Sequence, residues 1–433
     1  MASIEVLVLI LSFVILLGIG LPIAFTIAIS ATITLLISVP GMSTFTTIAQ
    51  RIATGTDSFT LLAIPFFILA GQMMNSGGIA RRLIDLARAL IGSIPGGLAF
   101  VNIIANMLFG AISGSAVASA SAIGSAMGPR MEKEGYDKSY SAAVNISSAT
   151  IGLVIPPSNI LIVYSLASGG VSIAALFMAG YIPGILIGLM LMITAGFIAK
   201  KKGYARGERT KLSTVATTFL AALPSLFMLV VVIGGIVNGY FTATEASAIA
   251  VLYSAILVAI YGELNLEAIR PMLLATIKTT SIVLFLVATS IGLSWVMAYE
   301  NIPQTITSVL LTISDNPIII LLIINVILLT VGIFMDMTPA VLIFTPIFLP
   351  VVAATGMDPI HFGIMMVLNL CIGLCTPPVG SVLFVGCSVA KLQIQKVIKP
   401  LLPLFITMLI GLLLIAFIPE ISLWLPRQLG LID

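Results

Sequence analysis

Asp336 lies in the run Met335-Asp336-Met337-Thr338-Pro339, inside a long apolar stretch. A carboxylate in a membrane interior costs roughly 2.5 kcal/mol or more on insertion scales, so it is normally kept for an ion or a proton. Its alternative use is to cap the broken backbone of its own segment. Ser113-Gly114-Ser115 sits at the centre of a second stretch, among small residues that also suit close helix packing. Two further segments, Ile151 to Asn159 ("IGLVIPPSN") and Ile372 to Gly380 ("IGLCTPPVG"), interrupt apolar runs with adjacent prolines. Proline removes a backbone donor and stops a helix. The break leaves bare carbonyls on one half-helix and bare N–H groups on the other. Carbonyl ends attract cations and N–H ends attract anions. Hydroxyl, amide and carboxylate oxygens complete a shell that suits a hard cation such as sodium.

One expected sodium site combines Ser113, Gly114 and Ser115 with Ile155, Pro156, Pro157 and Ser158. The other combines Asp336, Met337 and Thr338 with Gly373, Thr376, Pro377 and Gly380. Asn159, beside the first break, is a candidate solute ligand together with Asn145, Ser147 and Asn369. The last three fit interhelical hydrogen bonds better than a ligand role. No cofactor and no metal beyond sodium is expected. Cys371 and Cys375 share a helix face, but with no histidine or carboxylate nearby they read as small buried residues. His361 is the only histidine, which argues against histidine-based catalysis.

These residues need elements to hold them, and the composition says which kind. The chain has 433 residues, 60% of them hydrophobic and 8% charged, with a mean hydropathy of +1.23. That balance marks an all-α, multi-pass membrane protein. Apolar runs long enough to cross a bilayer recur, as in Ile182 to Ile198, Ile282 to Ala298 and Leu401 to Ile418. The N-terminus lacks the basic region of a cleavable signal and carries Glu5 instead, so the first apolar run is expected to stay as a helix. The net charge of +3 gives no sign of a nucleic-acid partner.

The two proline breaks stand 221 residues apart, about half the chain. Gly135 to Asn159 and Gly356 to Gly380 match without gaps at seven of 25 positions, and Pro129 and Pro350 fall in register. Paired Gly/Pro interruptions in two halves point to a secondary transporter site. Basic residues cluster at Arg81, Arg82 and Arg88, at Arg130, Lys133 and Lys138, and from Lys200 to Lys211; the first two clusters have no basic mate at this offset, and the third only Arg427. Lys391, Lys396 and Lys399 correspond to Gly170, Ala175 and Met178. If basic loops are cytoplasmic, equivalent loops lie on opposite sides and the repeats are inverted, with both termini outward. Arg270 and Lys278 fit less neatly, because Arg51 lies near their mates. The expected layout is a first repeat over 1–198, a basic cytoplasmic linker over 199–211 and a second repeat over 212–433. Each repeat holds a re-entrant helical hairpin (about 102–132 and 318–354), with arms too short to span, and a discontinuous helix (about 138–168 and 358–388).

Leu61 to Gly92, Gly110 to Ala143, "IPPSN" and "GLCTPPVG" together resemble the large membrane subunit, DctM-like or M, of tripartite ATP-independent periplasmic (TRAP) transporters. The resemblance covers essentially the whole chain. It implies a bacterial inner-membrane importer of acidic solutes, driven by sodium, in which hairpins and broken helices move as an elevator against a fixed scaffold. It also implies two partners, a small Q-type membrane subunit and a periplasmic solute-binding protein, besides membrane lipid. No Q segment precedes Met1, which resembles the unfused form. Sialic acids and C4-dicarboxylates are the implied solute classes, with a lean to sialic acid. The rival transporter is a stand-alone sodium/dicarboxylate symporter without a binding protein. An intramembrane hydrolase is disfavoured, because Ala111 breaks the glycine-serine motif and Asp336 has no carboxylate mate. A passive channel is disfavoured by the two paired, closed sites.

Overall fold

The computed structural model describes residues 4–39, 41–76, 78–94, 96–204, 211–262, 266–314 and 316–432. Those residues form α-helices joined by short turns, with no strand among them. The first half carries α1 (Ile4–Gly18), α2 (Ile23–Ser38), α3 (Met42–Gly55), α4 (Ala63–Ser76), α5 (Ile79–Ile91), α6 (Gly97–Ser113), α7 (Ala116–Lys133), α8 (Lys138–Ala149), α9 (Asn159–Ala167) and α10 (Ile173–Lys201). The second carries α11 (Leu212–Val237), α12 (Ala243–Ile260), α13 (Leu266–Tyr299), α14 (Ile302–Ile313), α15 (Pro317–Phe334), α16 (Met337–Ala354), α17 (Pro359–Gly373), α18 (Ser381–Val389), α19 (Ile394–Phe417) and α20 (Glu420–Gln428). Of the expected basic linker, residues 205–210 lie outside the described residues.

Seven of these helices, α10, α11, α12, α13, α15, α16 and α19, are long and apolar enough to cross a membrane, and α3 with Phe59–Asn75 forms a pair bent by 59° that is a broken span or a re-entrant loop. Their outward faces are apolar because lipid, not water, is the solvent there. On α11, for instance, Leu220, Phe227 and Val230 are exposed. The arms of the second hairpin differ from the expectation. α15 and α16 have 18 residues each and reach span length, since the apolar pattern continues unbroken to Pro317 and Ala354. The first hairpin begins at Gly97 rather than near 102.

α8 and α17 sit at the centre. Every residue of α17 from Ile360 to Gly373 is buried, as is every residue of α8 from Tyr140 to Ala149. Both start on an aspartate cap. Asp137 accepts from the N–H groups of Ser139 at 2.8 Å and Tyr140 at 3.0 Å, and Asp358 accepts from Ile360 at 2.7 Å. The two halves meet along these helices. The Cys371 thiol donates to the Thr150 carbonyl at 3.2 Å, and the Cys375 thiol to the Ile146 carbonyl at 3.3 Å. The Tyr164 hydroxyl donates to the Pro359 carbonyl at 2.5 Å. Around this centre, α4 packs on α12, and α13 packs on α2, α3 and α4.

Candidate ion and solute site

The chain reverses twice in the same manner. α6 ends at Ser113, Gly114 turns with φ of +62°, and Ser115 caps α7 by accepting the Ala118 N–H at 3.2 Å. Gly114 can hold that left-handed conformation because it has no Cβ. In the second half α15 ends at Phe334, extended Met335 turns the chain, and Asp336 occupies the N-cap of α16. Unlike Ser115, the Asp336 side chain makes no capping hydrogen bond. The Asp336 carboxylate instead lies against the N–H of Met337, the first residue of α16.

The breaks also correspond. After α8 the chain makes a 3-10 turn over Ile151–Leu153, passes the cis Pro156-Pro157 peptide, and restarts as α9. After α17 it passes the cis Pro377-Pro378 peptide and restarts as α18. Each hairpin lies backbone-to-backbone on its break. A Cβ added to Gly110 would stand 2.8 Å from the Gly152 Cα, and one added to Gly373 would stand 2.6 Å from the Gly332 Cα.

The two reversals converge on one cavity of about 230 Å³. Ser113, Gly114 and Ser115 line it from the first hairpin, and Asp336, Met337 and Thr338 from the second. Asn159 joins them, its amide so close to the first tip that a Cβ on Gly114 would stand 2.6 Å from Nδ2. The helix ends in this cavity carry both signs. α6 presents its carboxyl end at Ser113, which favours a cation, whereas the Leu374 carbonyl at the end of α17 already accepts from the Val382 and Leu383 N–H groups at 3.2 and 3.3 Å. α7, α9 and α16 present amino ends, which favour an anion. A cation and an organic anion can thus be held side by side. Among the described residues no cluster of histidine, cysteine and carboxylate groups exists for a transition metal.

Several expected ligands lie elsewhere. Ile155, Pro156, Pro157 and Ser158 do not line the cavity; the Ser158 hydroxyl donates back to the Leu153 carbonyl. Gly373, Thr376, Pro377 and Gly380 are likewise outside it, and the Thr376 hydroxyl donates to the Ile372 carbonyl at 2.8 Å. Asn145, Ser147 and Asn369, expected as solute ligands, do not line this cavity; Asn145 lines a separate one of about 280 Å³ with Gly124, Ser141 and Lys391. Asn145 and Ser148 both accept from the Asn106 amide, at 3.0 and 2.9 Å, and the Ser147 hydroxyl donates to Ala143. The Asn369 amide donates to the side chain of Asn325 at 2.8 Å. Buried amides in an apolar bundle seek each other for want of water.

Other wall residues were not singled out from the sequence. Ile64, Ile68 and Gln72 of α4, and Thr279 and Val283 of α13, close the cavity opposite the tips. Their four-residue spacing puts each set on one helix face. A polar residue continuing an apolar face, Gln72 after Ile64 and Ile68, was the available signal.

Comparison with known proteins agrees over nearly the whole length. The sequence model of one family, described as tripartite ATP-independent periplasmic transporter, DctM component, matches residues 10–421. The chain is 56% identical to the Salmonella typhimurium protein YgiK, itself uncharacterized, over 96% of this chain and 95% of that one. It is 38% identical to the Vibrio cholerae sialic acid TRAP transporter large permease protein SiaM, over 94% and 95% of the two chains. It is 39% identical to the Pseudomonas aeruginosa C4-dicarboxylate TRAP transporter large permease protein DctM, again over 94% and 95%. Among solved structures, the YdaH transporter of Alcanivorax borkumensis superposes with a TM-score of 0.63 at 14% identity, covering 86% of this chain and 87% of that one. MtrF of Neisseria gonorrhoeae, from a class of antimetabolite efflux pumps, superposes with a TM-score of 0.60 at 13% identity, covering 87% and 84%. At that identity the likeness is one of fold.

Proposed function

The chain belongs to the DctM component family of tripartite ATP-independent periplasmic transporters, and from that premise we propose that it is the permease of a sodium-coupled importer of a small acidic solute. It is a multi-pass inner-membrane transport protein and not an enzyme. The observation that carries this proposal is the convergence of both hairpin reversals on one cavity, which Asp336 lines together with Ser113 and Gly114. Sodium sits against the carboxyl end of α6 and Asp336, and a carboxylate solute sits against the amino helix ends and Asn159. The two halves have opposite orientation, and the hairpins and breaks move together past α4 and α13 as an elevator.

Two relatives are named for sialic acid and for C4-dicarboxylates, so the solute class is a carboxylate of that size. A periplasmic binding protein delivers it, and a small membrane subunit completes the permease. Proteoliposomes holding the chain and its small partner, with binding protein outside, test this reading. Uptake of labelled sialic acid or succinate is expected only with an inward sodium gradient and loaded binding protein, and without ATP. Uptake without sodium sinks the coupling, and uptake of free solute without binding protein favours the stand-alone symporter.

A further inference from the structure

The separate cavity of about 280 Å³ lies between α7, α8 and α18. Its mouth carries Lys138 from the first half and Lys391 from the second, both exposed, with Glu132 beside them. Among the described residues neither lysine is in an ion pair. Two cations against one carboxylate leave an excess of positive charge at the mouth. Asn102 and Asn145, both buried, line its inner part. Each amide nitrogen carries two N–H groups and spends one among the described residues, Asn145 on the Ala120 carbonyl at 2.8 Å and Asn102 on the Met131 sulfur, a weak acceptor, at 3.8 Å. Gly124 keeps this end open, since a Cβ there would stand 2.5 Å from the Asn145 Nδ2.

Both lysines sit where local rules disfavour them. Lys138 opens α8, and a cation at a helix amino end opposes the macrodipole. Lys391 has a φ of +51°, a left-handed backbone that Asn301 alone shares among the described residues other than glycine. Its mate at the 221-residue offset is Gly170, also left-handed, with a φ of +105°. Glycine takes that backbone freely and lysine does not. The carboxyl end of α18 attracts a cation, but a lysine at Ala390 would supply one there without the strain. Residues that break a local rule persist where something else requires them. What these two share is charge at the mouth of one cavity. Both also belong to the basic clusters that the positive-inside rule puts on the cytoplasmic side, where the leaflet carries anionic lipid. Basic pockets between membrane helices at that level hold phosphate headgroups. Glu132 makes a singly charged phosphodiester a better fit than a dianionic phosphate.

We propose that the cavity between α7, α8 and α18 is a binding site for a singly charged phosphodiester, held by Lys138 and Lys391. Occupied, it ties the end of the first hairpin to the second half. The diester belongs to an anionic phospholipid headgroup or to a free glycerophosphodiester. The chain with its small partner is exchanged into excess detergent. Its thermal melt is then followed against dioctanoyl phosphatidylglycerol, dioctanoyl phosphatidylcholine and glycerophosphoglycerol, the first headgroup without acyl chains. Phosphatidylglycerol should raise the melting temperature by several degrees, and phosphatidylcholine should not. Lys391→Gly relieves the backbone and should melt no lower than the parent without lipid. In Lys391→Gly and in Lys138→Gln the half-effective concentration of phosphatidylglycerol should rise at least tenfold. A shift by glycerophosphoglycerol as well supports the site with a free diester as its ligand, and a shift by phosphatidylglycerol alone supports it with the lipid. Native mass spectrometry reads a site that is already filled: phosphatidylglycerol that stays on the parent chain and is absent from both variants also supports the proposal. Equal shifts by the two lipids, equal shifts in parent and variants, or neither a shift nor a lysine-dependent adduct overturns it. The melt reads no transport, so failure of the importer reading shows separately, as absent uptake.

Discussion

Asp336 is where a single atom matters most. Ser115 at the corresponding position spends its side chain on a helix cap, whereas Asp336 leaves its carboxylate to the cavity. Asp336→Asn keeps the shape and one oxygen but removes the charge. At an effective dielectric of about 20 and about 4 Å, one full-charge ligand changes ion binding by up to about 4 kcal/mol before compensation. A third of that is about tenfold in affinity. The sodium concentration for half-maximal uptake should therefore rise at least tenfold, with the thermal melt in detergent nearly unchanged. An unchanged sodium dependence in a well-expressed variant removes Asp336 from the ion site. The sequence made this residue legible because a carboxylate in an apolar run is costly. It did not reveal that Asn145 and Asn369 face Asn106 and Asn325, because amides at packing and binding positions look alike until the partner helix is in place.

At the scale of elements, the notable contacts are those in which two backbones touch. Gly110 meets Gly152, and Gly332 meets Gly373, so each hairpin rests on its break with no side chain between. Gly152→Ala would put a methyl 2.8 Å from the Asn106 carbonyl oxygen, and backbone cannot step aside as a flexible side chain can. The expected cost is about 1–3 kcal/mol, read as a lower melting temperature in detergent. Gly234→Ala, in mid-helix on α11 with nothing within 4 Å of the new methyl, should be neutral or stabilising by up to about 1 kcal/mol. Equal losses in the two variants would mean that the close approach does not matter. The breaks were legible because Pro-Pro is a strong stop signal. The arm lengths were less so, because an apolar helix that turns back and one that crosses have the same composition.

For the whole molecule, orientation is the decisive property. Lys201 ends α10, and Arg427 pairs with Glu420 at 2.7 Å near the C-terminus. With inverted halves, a cysteine replacing Arg427 reacts with an impermeant maleimide added outside intact cells, and one replacing Lys201 does not. Equal labelling defeats the inversion. The asymmetry of basic residues made this expectation possible, whereas the meeting of both hairpins in one cavity needed tertiary contacts that no spacing discloses. The thiol contacts between the halves bear on how faithfully such a machine converts one gradient into another. In the proposed cycle, if the two breaks shifted separately, sodium would run down its gradient with no cargo aboard. Cys371 and Cys375 bolt one broken helix to carbonyls of the other, and Tyr164 adds a third bolt. On the proposed sodium-coupled cycle the ends would then travel as a single cog, and slippage between ion and solute would require shearing these bonds.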